Sequence, residues 1–161
     1  MLVDFNTLPD TARLWIYMSD TEFTNEQVNY IHEKMDKFCT RWNHHKNDLK
    51  SSYEIKYKRF IILAVDESYH EVSGCSINKS IKLMKKFETK LDLDLMNRLN
   101  TAFLENEDLQ VIDLSTFKEF AKNQKINKDT IVFNNLVTTK SAYLTGWEIA
   151  ASESWHARYM N

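Results

Sequence analysis

Of the 161 residues in this chain, only Gly74 and Gly146 are glycine. Backbone that wraps a phosphate, or turns a nucleophile out at a sharp angle, needs glycine. A Cβ blocks both the left-handed conformation and the close approach. The P-loop (G-x-x-x-x-G-K-[ST]), the dinucleotide fingerprint (G-x-G-x-x-G) and the nucleophile elbow (G-x-S-x-G) are therefore excluded. ATP binding through a P-loop is excluded with them.

The chain is of a length that buries most of its apolar surface around one core, and no proline-rich linker, charge block or repeat divides it, so a single domain over 1–161 is expected. With 21 basic and 23 acidic residues its formal net charge is -2, which gives no sequence-wide attraction to a nucleic-acid backbone or an anionic membrane. A small molecule or a protein is the partner class left, and no signal sets an oligomeric state. No apolar run reaches the roughly 18 residues of a membrane span, and the N-terminus lacks a basic start followed by an apolar stretch. A cytoplasmic location follows. Cys39 and Cys75 have the spacing of neither a disulfide framework nor a zinc site, so both are expected as free thiols. No residue pattern requires a cofactor or a metal.

Residues 13–18 (R-L-W-I-Y-M) are rich in strand formers. Thr24 with Gln27 forms a capping-box pattern, flanked by the staple pair Phe23 and Val28. Val28, Ile31, Met35, Phe38 and Trp42 then recur at helical spacing, predicting a helix over about 25–43. Residues 53–57 alternate and 60–65 are continuously apolar, as in a hairpin or one bent strand. Ile77, Ile81, Met84, Phe87 and Leu91 mark a second helix, capped by Ser73 or Ser76. A short strand at 109–112, a third helix at 115–123, a strand at 130–137 and an aromatic tail from residue 141 complete the pattern. The expected class is α+β, with a ferredoxin-like β-α-β-β-α-β core, a C-terminal α-β extension and the tail.

Several patterns carry candidate chemistry. Ser73-Gly74-Cys75-Ser76-Ile77 puts a thiol and a hydroxyl at a helix N-terminus, where unpaired N–H groups and the dipole stabilise a thiolate or hold an anion. His156 is the candidate base, with Asp66 or Glu67 to orient it. Read structurally instead, a serine caps the helix, Cys75 is a small buried hydrophobe and His156 lies at the surface. Ser76 with Lys79 also fits S-x-x-K, though the accompanying K-T-G is absent and Lys140-Ser141-Ala142 is its nearest segment. Glu54-Ile55-Lys56 fits half of a metal-dependent nuclease site, with Asp48 as the near aspartate, and alternating charge on a strand face accounts for it equally. His44 and His45, at a helix end, point apart and suit its dipole. His32 and His70 complete no metal-ligand spacing. Lys79, Lys82, Lys86 and Lys90 form a solvated stripe. Asn134-Asn135 in an apolar strand places one amide inward, where it needs partners or a ligand. Trp147, Trp155, His156 and Arg158 either line a pocket or anchor the tail.

The segments L-W-I-Y (14–17), F-T (23–24), E-I-K-Y (54–57), F-I-I-L-A-V-D-E (60–67), S-G-C-S-I (73–77), D-T-I-V-F-N-N-L-V (129–137) and S-W-H-A-R (154–158) resemble a family of small bacterial proteins of unknown function. Automated labelling often names that family "ABC transporter ATPase". Asn78 stands where aspartate is expected. The resemblance implies that Asp66, Glu67, Gly74, Cys75, Ser76, Asn134, Asn135, Trp155 and His156 lie in its signature segments. It implies no mechanism, and the ATPase label conflicts with the glycine count.

Two functions follow. The leading one is a small-ligand-binding or accessory protein with a pocket near the helix start at 73–77 and the Trp155-His156 tail. The alternative is an enzyme with Cys75 as nucleophile and His156 as base. A nuclease using Glu54 and Lys56 stands behind both.

Overall fold

The structure is a computed structural model and describes residues 1–160. It is α+β, as the pattern predicts. The expectation of one domain over 1–161 meets a chain that divides into two compact units, 1–96 with 138–141, and 97–137 with 142 onward.

The first unit contains β1 (Arg13–Met18), α1 (Asn25–Arg41), β2 (Asn43–His44), β3 (Asn47–Asp48), β4 (Lys50–Lys56), β5 (Phe60–Asp66) and α2 (Gly74–Leu91). Its main sheet has the order β1-β5-β4, with both pairings antiparallel. Thus β1 and β4 run the same way on either side of β5 and α1 is the crossover between them, a split β-α-β arrangement. As the middle strand, β5 is buried along its whole length, which explains its unbroken apolar run. Ile61, Leu63 and Val65 pack with Ile31, Met35 and Trp42 from α1 and its end, and with Met84 and Phe87 of α2. The helix starts are local and were legible. The Thr24 hydroxyl accepts from Gln27 N at 3.1 Å, and the Gln27 side chain accepts from Thr24 N at 2.9 Å.

A ferredoxin-like core needs a fourth strand after α2, and this unit has none. Helix α2 ends at Asp92 in a left-handed conformation, and the Glu88 carboxylate then accepts from the backbone N–H of Leu95 and Met96. That holds the following segment irregular. The outer edge of β1 is met instead by residues 138–140. Leu14 N donates to Thr138 O at 3.0 Å and Lys140 N to Ala12 O at 2.8 Å. The Lys140 ammonium is buried and donates to Leu8 O at 2.6 Å and Asn6 O at 3.2 Å.

The second unit contains β6 (Asn100–Glu105), β7 (Asp108–Asp113), α3 (Leu114–Lys122), β8 (Ile131–Phe133), the greater part of α4 (Lys140–Gly146), β9 (Glu148–Ala150), and short 3-10 helices at Ala151–Glu153 and Trp155–Tyr159. Its antiparallel sheet has the order β7-β6-β8-β9. Phe103, Phe117, Ile126, Val132 and Ala151 form its core. The strand expected at 130–137 ends at Phe133, because Asn134 turns the chain by accepting from Leu136 N at 3.1 Å. The expected tail is built in: it supplies β9, and Trp147 and Tyr143 are buried.

No described glycine has positive φ. The left-handed positions fall on other residues instead, among them His45-Lys46 between β2 and β3 and Asn106-Glu107 between β6 and β7. Each pair is a two-residue loop with both φ values positive, the geometry of a type I′ hairpin turn.

Candidate functional site

The candidate residues fall into two sets: Asp66, Glu67, Gly74, Cys75 and Ser76 in the first unit, and Asn134, Asn135, Trp155 and His156 in the second.

At the start of α2, Ser73 is the cap and its hydroxyl accepts from Ser76 N at 3.1 Å. The Ser76 side chain is buried and donates to Asn43 O at 2.9 Å, while the Trp42 indole donates to Ser76 O at 2.9 Å. These bonds tie β2 and the end of α1 to α2. They also commit the Ser76 hydroxyl, and Lys79 is exposed on the solvent side, so no S-x-x-K pair is formed. Glu67 accepts from Val72 N at 3.1 Å and pairs with Arg13 at 3.6 Å. Gly74 has open space where a Cβ would stand. Cys75 is exposed, which corrects the reading of it as a buried hydrophobe. Cys39 is the buried thiol, and burial pushes its pKa up to about 11.

In the second unit His156 is fully buried, where the structural reading had it at the surface. Its ring stacks on Trp155 at 3.7 Å between centroids and lies 5.1 Å from Phe117, and Nδ1 shares a 2.8 Å hydrogen bond with the Ser154 hydroxyl. His156 Nε2 and Trp155 Nε1 are buried without a protein hydrogen-bond partner. Burial pulls the imidazole pKa down to about 4, so the ring is neutral near pH 7. The Asn135 side-chain oxygen accepts from the Trp147 indole at 2.9 Å, and Asn134 N donates to Trp147 O at 2.7 Å. Both asparagine side chains thus serve the turn and the burial of Trp147.

The metal-linked patterns resolve differently. Glu54 and Lys56 pair with each other at 4.0 Å along β4. Among the described residues no three His, Cys, Asp or Glu side chains gather in a way that would hold a metal ion. His44 and His45 are at a hairpin rather than a helix end, and their ring centroids are 4.1 Å apart. No described helix is long and apolar enough to cross a membrane.

Asp66 leads to a feature not anticipated from the sequence. It lines a cleft of about 240 Å³ with Leu49, Asp48, Lys50, Tyr69 and His70, beside Met1. Three local causes build it. The β2–β3 hairpin delivers Asp48, the first residue of β4 is Lys50, and the last residue of β5 is Asp66, directly opposite Lys50. The loop beyond β5 then adds Tyr69 and His70 to the lining. Counting outward from the β4–β5 turn pairs Lys50 with Asp66, so the signal was present, but only once the hairpin register is known.

In comparisons with protein-family models, curated proteins and solved structures, nothing matches this chain.

Proposed function

We propose that this chain is a small-ligand-binding or accessory protein with no catalysis of its own, and that its binding site is the cleft at the end of β5, on the loop that leads to the helix start at 73–77. The observation that carries this reading is the cleft itself, a concave surface of mixed apolar and charged lining with the carboxylate of Asp66 drawn into it. The Trp155-His156 tail is assigned to the core of the second unit. The state of His156 supports this against the alternative. A general base for a thiol works best with a pKa near the operating pH and within reach of the proton it takes. His156 is enclosed and held near 4. Membership in the small bacterial family is part of the proposal, carried by the segments quoted above, without the ATPase label. A cytoplasmic location is proposed with it, since both cysteines are free thiols.

Alkylation by iodoacetamide tests this reading. Cys39 should react far more slowly in native than in denatured protein. Cys75 should react in native protein no faster than when denatured, and at the same rate in His156→Ala. A native Cys75 rate well above the denatured one, lost in His156→Ala, would establish the enzyme instead.

A further inference from the structure

We propose that the ligand of this cleft is a small organic cation, an amine with a compact apolar body, held by Asp66. The inference rests on the binding reading above and names the class of its ligand.

Asp66 is 8% exposed, and its Oδ1 accepts two hydrogen bonds from Ser68, from the backbone N–H at 2.9 Å and the hydroxyl at 2.5 Å. No described cation lies within ion-pair distance of it. The expected counter-charge is Lys50, its neighbour across the strands, yet that ammonium stands over the Tyr69 ring at 5.2 Å from the centroid. A carboxylate drawn out of water without an opposite charge is costly, and a cation brought in through the cleft relieves that cost. The same cation gains from Tyr69, whose ring is 73% exposed and already attracts an ammonium.

Charge and size narrow the class. Two carboxylates, Asp48 and Asp66, share the lining with two ammonium groups that are engaged elsewhere, Lys50 over the Tyr69 ring and the N-terminal ammonium of Met1, which donates to Cys39 O at 3.1 Å and Leu49 O at 2.9 Å. Leu49 and Met1 add apolar surface to the lining, which suits methylene groups rather than a hydrated inorganic ion. The volume of about 240 Å³ is below the roughly 300 Å³ at which clefts for drug-sized molecules begin, which limits the ligand to a compact one.

Three probes with one body and three charges test this: cyclohexylamine, cyclohexanol and cyclohexanecarboxylate, each titrated into the full chain and followed through amide NMR shifts. Cyclohexylamine should move residues 48–50 and 66–70 saturably, and bind at least tenfold more tightly than the other two. Asp66→Asn should weaken it tenfold or more. Tyr69→Ala, a change at an exposed position that leaves folding intact, should weaken it severalfold. Lys50→Met should bind as tightly or better, since a competitor for Tyr69 is removed. Tighter binding of the alcohol or the carboxylate at the same residues overturns the cation while leaving the cleft as a binding site. So does undiminished amine binding in Asp66→Asn or Tyr69→Ala. If none of the three probes moves these residues, the binding reading falls as well.

Discussion

At the residue scale, Thr24 shows how much one side chain does when its role is local. Its hydroxyl and the Gln27 amide exchange hydrogen bonds with each other's backbone, and Gln27 also donates to Leu91 O at 3.1 Å. Thr24→Ala removes the acceptor for Gln27 N and should destabilise by about 1 kcal/mol, while Thr24→Ser, which keeps the oxygen, should lose far less. Urea midpoints of the two variants give the comparison, and equal midpoints for Ala and Ser would show that the hydroxyl contributes nothing. The box was legible because four consecutive residues define it. Cys75 and His156 were not, because exposure is a property of the packed chain. The habit of free cysteine to act as a small buried hydrophobe placed the thiol inside, the polar setting of the tail placed the imidazole outside, and packing reversed both.

At the element scale, the hairpins carry a cost that a chain so poor in glycine must accept. Asn106 and Glu107 have φ of 51° and 69°, and such conformations strain any residue with a Cβ, asparagine least. Glu107→Gly would give the Asn-Gly pair that this turn type favours. It should stabilise by about 0.5 to 1 kcal/mol, the relief of strain exceeding the added freedom of the unfolded chain. A raised midpoint in thermal or urea unfolding is expected, and a lowered one would mean that the Glu107 side chain contributes more than the strain costs. The same scale explains what sequence reading found and missed. Strands β1, β4 and β5 announce themselves through strand formers and apolar runs. The strand β9 is three residues long, too short for any period to mark it. The Asp66 cleft fell between these cases. Every residue of it is visible in the sequence, but the convergence depends on a hairpin register and a loop path.

At the scale of the whole molecule, the two units should respond differently to acid, and His156 is the reason. Unfolded, its imidazole takes up a proton near pH 6.5. Folded, enclosed by Trp155 and Phe117, it does so only near 4. Between those values the unfolded state binds more protons than the folded one, so stability rises with pH across this window. The second unit therefore has its full stability above about pH 6.5 and loses it progressively as pH falls toward 4, below which the loss is complete. The span amounts to about 3 kcal/mol at roughly 1.4 kcal/mol per unit of pH. Amide hydrogen exchange reads the units separately: protection at Phe117 and Val132 should fall by about two orders of magnitude between pH 7 and pH 4.5, after correction for the intrinsic exchange rate, and more steeply than at Ile62 and Leu63 in β5. His156→Phe fills the same space with a ring that takes no proton and should flatten the second unit's dependence. An equally steep loss in that variant would assign the acid response to other groups and leave the buried imidazole a packing residue.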